Sequence, residues 1–174
     1  MEYLHSQNII HKDLATRNLL VKLNPERNVV KVADFVSSLP IAAIKFHLSN
    51  MVFPFKIKIK GLSTESNYNT SNDVISIRWA APELFSGSKA SFKTDVFAFA
   101  ITMMEIFNQG KSPYWELKNA EVVEFVKSGN RMTLSETVPK EIQELIQHCW
   151  DQDPIKRPQF SEISKLLKQI HESG

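Results

Sequence analysis

His11-Lys12-Asp13-Leu14-Ala15-Thr16-Arg17-Asn18 is the stretch on which the fold reading turns. Ahead of it, Met1 to Gln7 reads as the end of an apolar helix whose beginning is missing, so the start at Met1 looks like a truncation. Behind it stand two short strand candidates, Asn18 to Lys22 and Val29 to Ala33. Asn24-Pro25-Glu26-Arg27-Asn28 is a turn between them, which makes a small hairpin. From Phe92 onward the signals are helical. Thr94-Asp95 opens a stretch through Phe107 that is apolar nearly all round, as a buried central helix would be. Asn119 can cap a helix ending before Gly129, and Pro139 suits a first helical turn. Ile142, Leu145, Ile146 and Cys149 then recur at helical spacing, as do Ile163, Leu166, Leu167 and Ile170. The expectation is a mainly helical unit with one hairpin beside the polar loop.

That loop carries chemistry. Phosphoryl transfer needs a carboxylate to orient the attacking hydroxyl and accept its proton, and oxygen ligands to hold magnesium on the phosphates. Asp13 and Asn18 are those residue types, five apart, and Asp34-Phe35 offers a second carboxylate at the end of the second strand. His-x-Asp alone is weak evidence. Joined to the Asn and to Asp-Phe after a hairpin, it is strong.

Composition bounds the alternatives. The 174 residues fit one domain, and 43% hydrophobic with 23% charged content is that of a soluble globular protein. A net charge of +2 argues for neither nucleic acid nor an acidic membrane surface. Cys149 is the only cysteine, so no internal disulfide forms; its helical surroundings read as a buried structural thiol. The histidines show no metal-ligand spacing, and no apolar run is long enough to span a bilayer.

The loop resembles the His-Arg-Asp-Leu-Ala-Ala-Arg-Asn loop of protein tyrosine kinases. Serine/threonine kinases usually place Lys two residues after the Asp, whereas this chain has Ala15 there and Arg17 two residues later. Further matches follow in the family's order. Ile77-Arg78-Trp79-Ala80-Ala81-Pro82-Glu83 resembles the peptide-docking loop that ends in Ala-Pro-Glu. Asp95-Val96-Phe97-Ala98-Phe99 is similar to the Asp-Val-Trp-Ser-Phe opening of the central helix. Pro113-Tyr114 and Asp153-Pro154-Ile155-Lys156-Arg157-Pro158 match later helical segments. The resemblance implies the C-terminal lobe of a kinase domain over 1–174, with ATP and Mg2+ as cofactors and tyrosine-bearing proteins as substrates. By it, Asp13 is the catalytic base, Arg17 a substrate- or phosphate-facing cation, and Asn18 and Asp34 are metal ligands. Leu20 matches the residue that floors the adenine pocket in the family. His11, Glu83, Asp95 and Arg157 are structural supports, with Arg157 paired to Glu83 and Asp95 bracing the loop. Tyr68 matches the activation-loop tyrosine, where phosphate would order the segment. A cytoplasmic location follows, with a parent that can be membrane-tethered.

Three departures qualify this. The glycines stand at 61, 87, 110, 129 and 174, so no Gly-x-Gly phosphate loop is present. Ala42-Ala43-Ile44-Lys45 is no substitute for the Val-Ala-Ile-Lys strand, since it follows the catalytic loop. An isolated chain of this kind is expected to be inactive, and a kinase lobe serving only as an interaction module is the competing reading. Lys12 stands where the family has Arg, which keeps the charge but loses the bidentate fork.

The last departure is an insertion. Asp34-Phe35 is followed by Val36 rather than Gly, but setting aside Val36 to Lys60 joins it to Gly61-Leu62-Ser63 and restores Asp-Phe-Gly. The distance from Asp34 to Glu83 then falls from 49 positions to 24. The insertion carries four lysines and no acid, and without it the chain is net acidic. Its Lys56-Ile57-Lys58-Ile59-Lys60 alternation reads as a strand, and its Phe and Ile content makes it sticky. Val has GT-codons and Lys can be AAG, the boundaries of a retained in-frame intron. Sequencing of the transcript should show Phe35 joined to Gly61; a mature message encoding 36–60 contradicts that origin.

Overall fold

The computed structural model describes residues 1–25, 28–34, 67–70 and 73–173. The Val36–Lys60 insertion, Phe35, the Gly61-Leu62-Ser63 of the restored motif and part of the first turn lie outside the described residues.

The chain opens on one short helix, α1 (Glu2–Ser6), and the His11-to-Ala15 stretch follows without regular structure until a 3-10 turn at Thr16–Asn18. Strands β1 (Leu19–Lys22) and β2 (Val29–Val32) pair antiparallel with Leu19 opposite Val32. Strands β3 (Asn67–Thr70) and β4 (Asp73–Ser76) form a second antiparallel hairpin with Asn67 opposite Ser76. Two further 3-10 turns, Ile77–Trp79 and Pro82–Ser86, lead into the helices. These are α2 (Phe92–Phe107), α3 (Asn119–Lys127), α4 (Lys140–Cys149) and α5 (Phe160–Ser173). The β3–β4 hairpin was not legible in the sequence, because neither strand has an apolar alternation.

Helix α2 is the core around which the rest is arranged. Val96, Phe97, Ala100, Ile101 and Met104 are at most 1% exposed, and burial of each large side chain is worth about 1.5–3 kcal/mol. The helix starts two residues before Thr94 because Ser91 caps it: the Thr94 amide donates to Ser91 Oγ (3.4 Å) and the Ser91 amide to Thr94 Oγ1 (3.0 Å). Asn119 is the first residue of α3 rather than its cap; the preceding Lys118 amide donates to the Glu121 carboxylate at 2.6 Å. Gly129 follows α3 at φ +86°, a left-handed position that favours glycine. Pro139 immediately precedes α4, whose Ile142, Leu145, Ile146 and Cys149 are all buried and face α2. On α5, Ile163 is buried and Leu167 and Ile170 are half-buried, but Leu166 lies exposed at the helix edge.

Burial pushes the Cys149 thiol up to about 12, with Arg157 and Lys93 opposing the shift. The thiolate is the reactive form, so iodoacetamide at pH 8 should label the folded chain roughly a hundredfold more slowly than the urea-unfolded chain. Comparable rates would show that the thiol is accessible.

Candidate active site

The polar loop hangs from the N-terminal end of α2. Asp95, 1% exposed, accepts the His11 backbone N–H at 2.7 Å on Oδ2 and the Lys12 backbone N–H at 2.9 Å on Oδ1. His5 Nε2 lies 3.0 Å from the same Oδ2. Lys12 needs this anchoring, since its φ of +70° is a left-handed conformation that a lysine adopts at a cost. Asp95→Asn would turn an amide N–H toward one of those donors. It should cost about 1.5–3 kcal/mol and speed hydrogen exchange at His11 and Lys12.

His11 is fully buried and links the loop to the hairpin. Its Nδ1 accepts the Asp13 backbone N–H at 3.2 Å, so the ring proton belongs on Nε2, which donates to the Ala33 carbonyl at 3.0 Å. The Ala33 amide in turn donates to the Asn18 carbonyl at 2.8 Å. One ring and one backbone bond thereby hold the end of β2 against the loop.

Asp13 is at the centre. Its Oδ1 accepts from the Ser76 hydroxyl at 2.7 Å and from the Arg17 guanidinium, and its Oδ2 accepts from Asn18 Nδ2 at 2.8 Å. Asn18 Nδ2 also donates to the Asp13 carbonyl at 2.7 Å. The carboxylate is thus held by three side chains, with acceptor capacity left on Oδ2. Arg17 donates to Ser76 Oγ at 2.8 Å as well, and its guanidinium lies 4.3 Å from the centroid of the Trp79 ring. Ser76 gives no signal in the sequence, since a lone serine at a strand end carries no pattern.

The remaining candidates divide into two groups. Asp34, exposed and at φ +61°, follows Ala33, the residue bonded to the Asn18 carbonyl, and has no hydrogen bond or ion pair among the described residues. Leu20 is 51% exposed on β1, opposite Lys31, and Tyr68 stands in β3 opposite Ile75. Glu83 and Arg157 meet away from the loop, through Nη1 to Oε1 at 2.7 Å and Nη2 to Oε2 at 2.8 Å. Arg157 also donates to the carbonyls of Asp151 (2.8 Å) and Lys93 (2.9 Å) and receives a bond from Lys93 Nζ on its own carbonyl. Arg78, whose pKa burial lowers, donates to the carbonyls of Pro113, Tyr114 and Leu117 and so fixes the 3-10 turn at Ile77–Trp79 to the α2–α3 connection.

The residues fit a magnesium ion. Asn18 spends its amide nitrogen on Asp13, which leaves its Oδ1 open among the described residues, and Asp34 adds a carboxylate with no competing partner there. Magnesium is commonly held by one or two protein oxygens with phosphates and water completing the octahedron, so no larger cluster of ligands is required.

A helical lobe whose central helix carries a polar Asp-Asn loop beside a hairpin defines a class of protein, the kinase C-terminal lobe. The protein tyrosine and serine/threonine kinase family matches this chain over residues 1–50 and 52–167, and the chain belongs to that family. Among curated relatives, ephrin type-A receptor 6 of Rattus norvegicus is 32% identical over 170 residues, 98% of this chain and 14% of the relative. Ephrin type-A receptor 5 of Gallus gallus is 32% identical over 98% of this chain and 15% of its own length. Ephrin type-A receptor 3 of Danio rerio matches at the same 32% identity and the same coverage. The chain spans about one seventh of the length of these relatives.

Proposed function

We propose that this chain is the C-terminal lobe of a protein tyrosine kinase, which moves the gamma-phosphate of ATP to tyrosine hydroxyls of protein substrates. The observation that carries the proposal is the Asp13 carboxylate, clamped by Ser76, Arg17 and Asn18 with Oδ2 still able to accept. On this reading Asp13 orients the substrate hydroxyl and takes its proton. Asn18 and Asp34 hold magnesium, which when bound neutralises charge on the transferring phosphate. Arg17 faces the substrate or its phosphate.

Ala15 and Arg17 support tyrosine over serine as the acceptor, since they follow the tyrosine-kinase arrangement of the loop. The exposed apolar side chains of the first hairpin, Leu20, Val21, Val29 and Val30, suit a surface against which a nucleotide-binding lobe and the adenine ring would pack. Tyr68 is the proposed activation phosphosite, and 36–60 an insertion in the activation segment. No helix among the described residues is long and apolar enough to cross a membrane. The relatives are receptors by name, so a cytoplasmic position within a membrane-tethered parent fits the proposal. With no Gly-x-Gly loop or strand lysine ahead of His11 in residues 1–174, these residues alone are expected to transfer no phosphate.

Acceptor choice tests the class. A kinase nucleotide-binding lobe fused ahead of Met1, in a chain freed of Val36 to Lys60, should give a protein that phosphorylates a tyrosine peptide and leaves its serine counterpart unmodified. Equal labelling of serine would overturn the tyrosine assignment.

A further inference from the structure

Glu105 lies in the last turn and a half of α2, nine-tenths buried, and neither the sequence motifs nor the phosphotransfer scheme assigns it a role. Burying a carboxyl group is unfavourable unless hydrogen bonds replace its water. Among the described residues no cation pairs with it. Instead its Oε2 accepts from two segments far apart in the chain, the Thr16 backbone N–H at 3.1 Å and the Trp79 indole N–H at 3.1 Å. Thr16 opens the 3-10 turn that carries Arg17 and Asn18, and Trp79 ends the turn after β4. The indole held in this way is the surface on which the Arg17 guanidinium rests, 4.3 Å from the ring centroid, while Arg17 pairs with Asp13.

We propose that Glu105 is a positioning residue that sets Arg17, and through it the Asp13 carboxylate, by tying Thr16 to Trp79. The contacts form a closed path: Glu105 to Trp79, Trp79 to Arg17, and Arg17 along the backbone to Thr16 and back to Glu105. An indole with no acceptor for its N–H is free to turn, and Arg17 then loses the aromatic face that limits its rotamers. The functional part of the proposal rests on reading Asp13 as the base; the positioning itself does not.

Solution NMR of the 174-residue chain tests it, with wild type beside Glu105→Leu and Glu105→Gln. The readouts are hydrogen exchange at the Thr16 amide and the ring-current displacement of the Arg17 side-chain signals, with α4 amides as internal control. In Glu105→Leu, Thr16 exchange should rise about tenfold and the Arg17 displacement should vanish, while α4 stays within about twofold. Glu105→Gln keeps an acceptor oxygen and should give smaller changes in the same direction. Unchanged Thr16 and Arg17 signals in folded Glu105→Leu overturn the proposal, as does a rise in exchange shared equally by α4. Where Glu105→Leu does not fold, Glu105→Gln decides alone: faster Thr16 exchange over a constant α4 supports the role, and no change overturns it. None of these readouts involves phosphate transfer, so their failure is separate from failure of the kinase reading.

Discussion

Asp13→Asn should lower phosphoryl transfer by roughly 10²–10⁴-fold in a lobe-fused protein while leaving the fold intact. The substitution keeps the size and planarity of the side chain, so Ser76 and Arg17 can still donate to its oxygen. It loses the negative charge that accepts a proton, and it turns an N–H toward Asn18 Nδ2, which is itself a donor. The pair with Arg17 is partly exposed, at 42% for the Arg17 side chain and 26% for Asp13, so its loss costs at most about 1 kcal/mol. Activity and stability are therefore expected to separate. Steady-state transfer to a tyrosine peptide, read beside urea denaturation, checks both. A variant that transfers at the wild-type rate removes Asp13 as the base.

Arg157→Ala should do the opposite, with its effect on stability. The same kind of Arg–carboxylate contact is here taken out of water: the Arg157 side chain is 0% exposed and that of Glu83 18%. Truncation strands the Glu83 carboxylate and the carbonyls of Asp151 and Lys93, and removes the guanidinium that lies 5.1 Å from the Phe97 ring centroid. Breaking a buried pair from one side costs about 3–5 kcal/mol, a large part of the 5–15 kcal/mol that holds a typical domain. Arg157→Lys keeps the charge without the fork and should fall between. The midpoint of urea unfolding reports the loss; a shift below about 1 kcal/mol would mean that the pair is not desolvated in solution.

Much of this architecture could be read in the sequence because the central helix leaves few choices. A segment apolar on every side, as Val96 to Met104 is, has to be enclosed, and the helical spacing of Ile142, Leu145, Ile146 and Cys149 marks the surface that encloses it. The first hairpin was announced by its Asn-Pro turn. Helix ends were less legible, since Ser91 and Glu121 act as caps through side-chain geometry that several nearby polar residues could have supplied. The loop residues Asp13, Asn18 and Asp34 stood out by type and order. Ser76 and Glu105 did not, although both touch the same constellation. Each acts through a contact to a residue more than 50 positions away, and such pairing leaves no local pattern in a single chain.

On the proposed reading, residues 1–174 carry the phosphotransfer residues of a kinase C-terminal lobe, which act once Val36 to Lys60 is removed and a nucleotide clamp is supplied. The most direct measurement compares phosphate transfer to a tyrosine peptide by residues 1–174 alone with transfer by the same residues, freed of Val36 to Lys60 and fused behind a kinase nucleotide-binding lobe. Magnesium-dependent phosphotyrosine from the fused protein and none from the isolated chain is the predicted result. A folded fusion that binds ATP and magnesium yet transfers nothing, or an isolated chain that transfers, would contradict it.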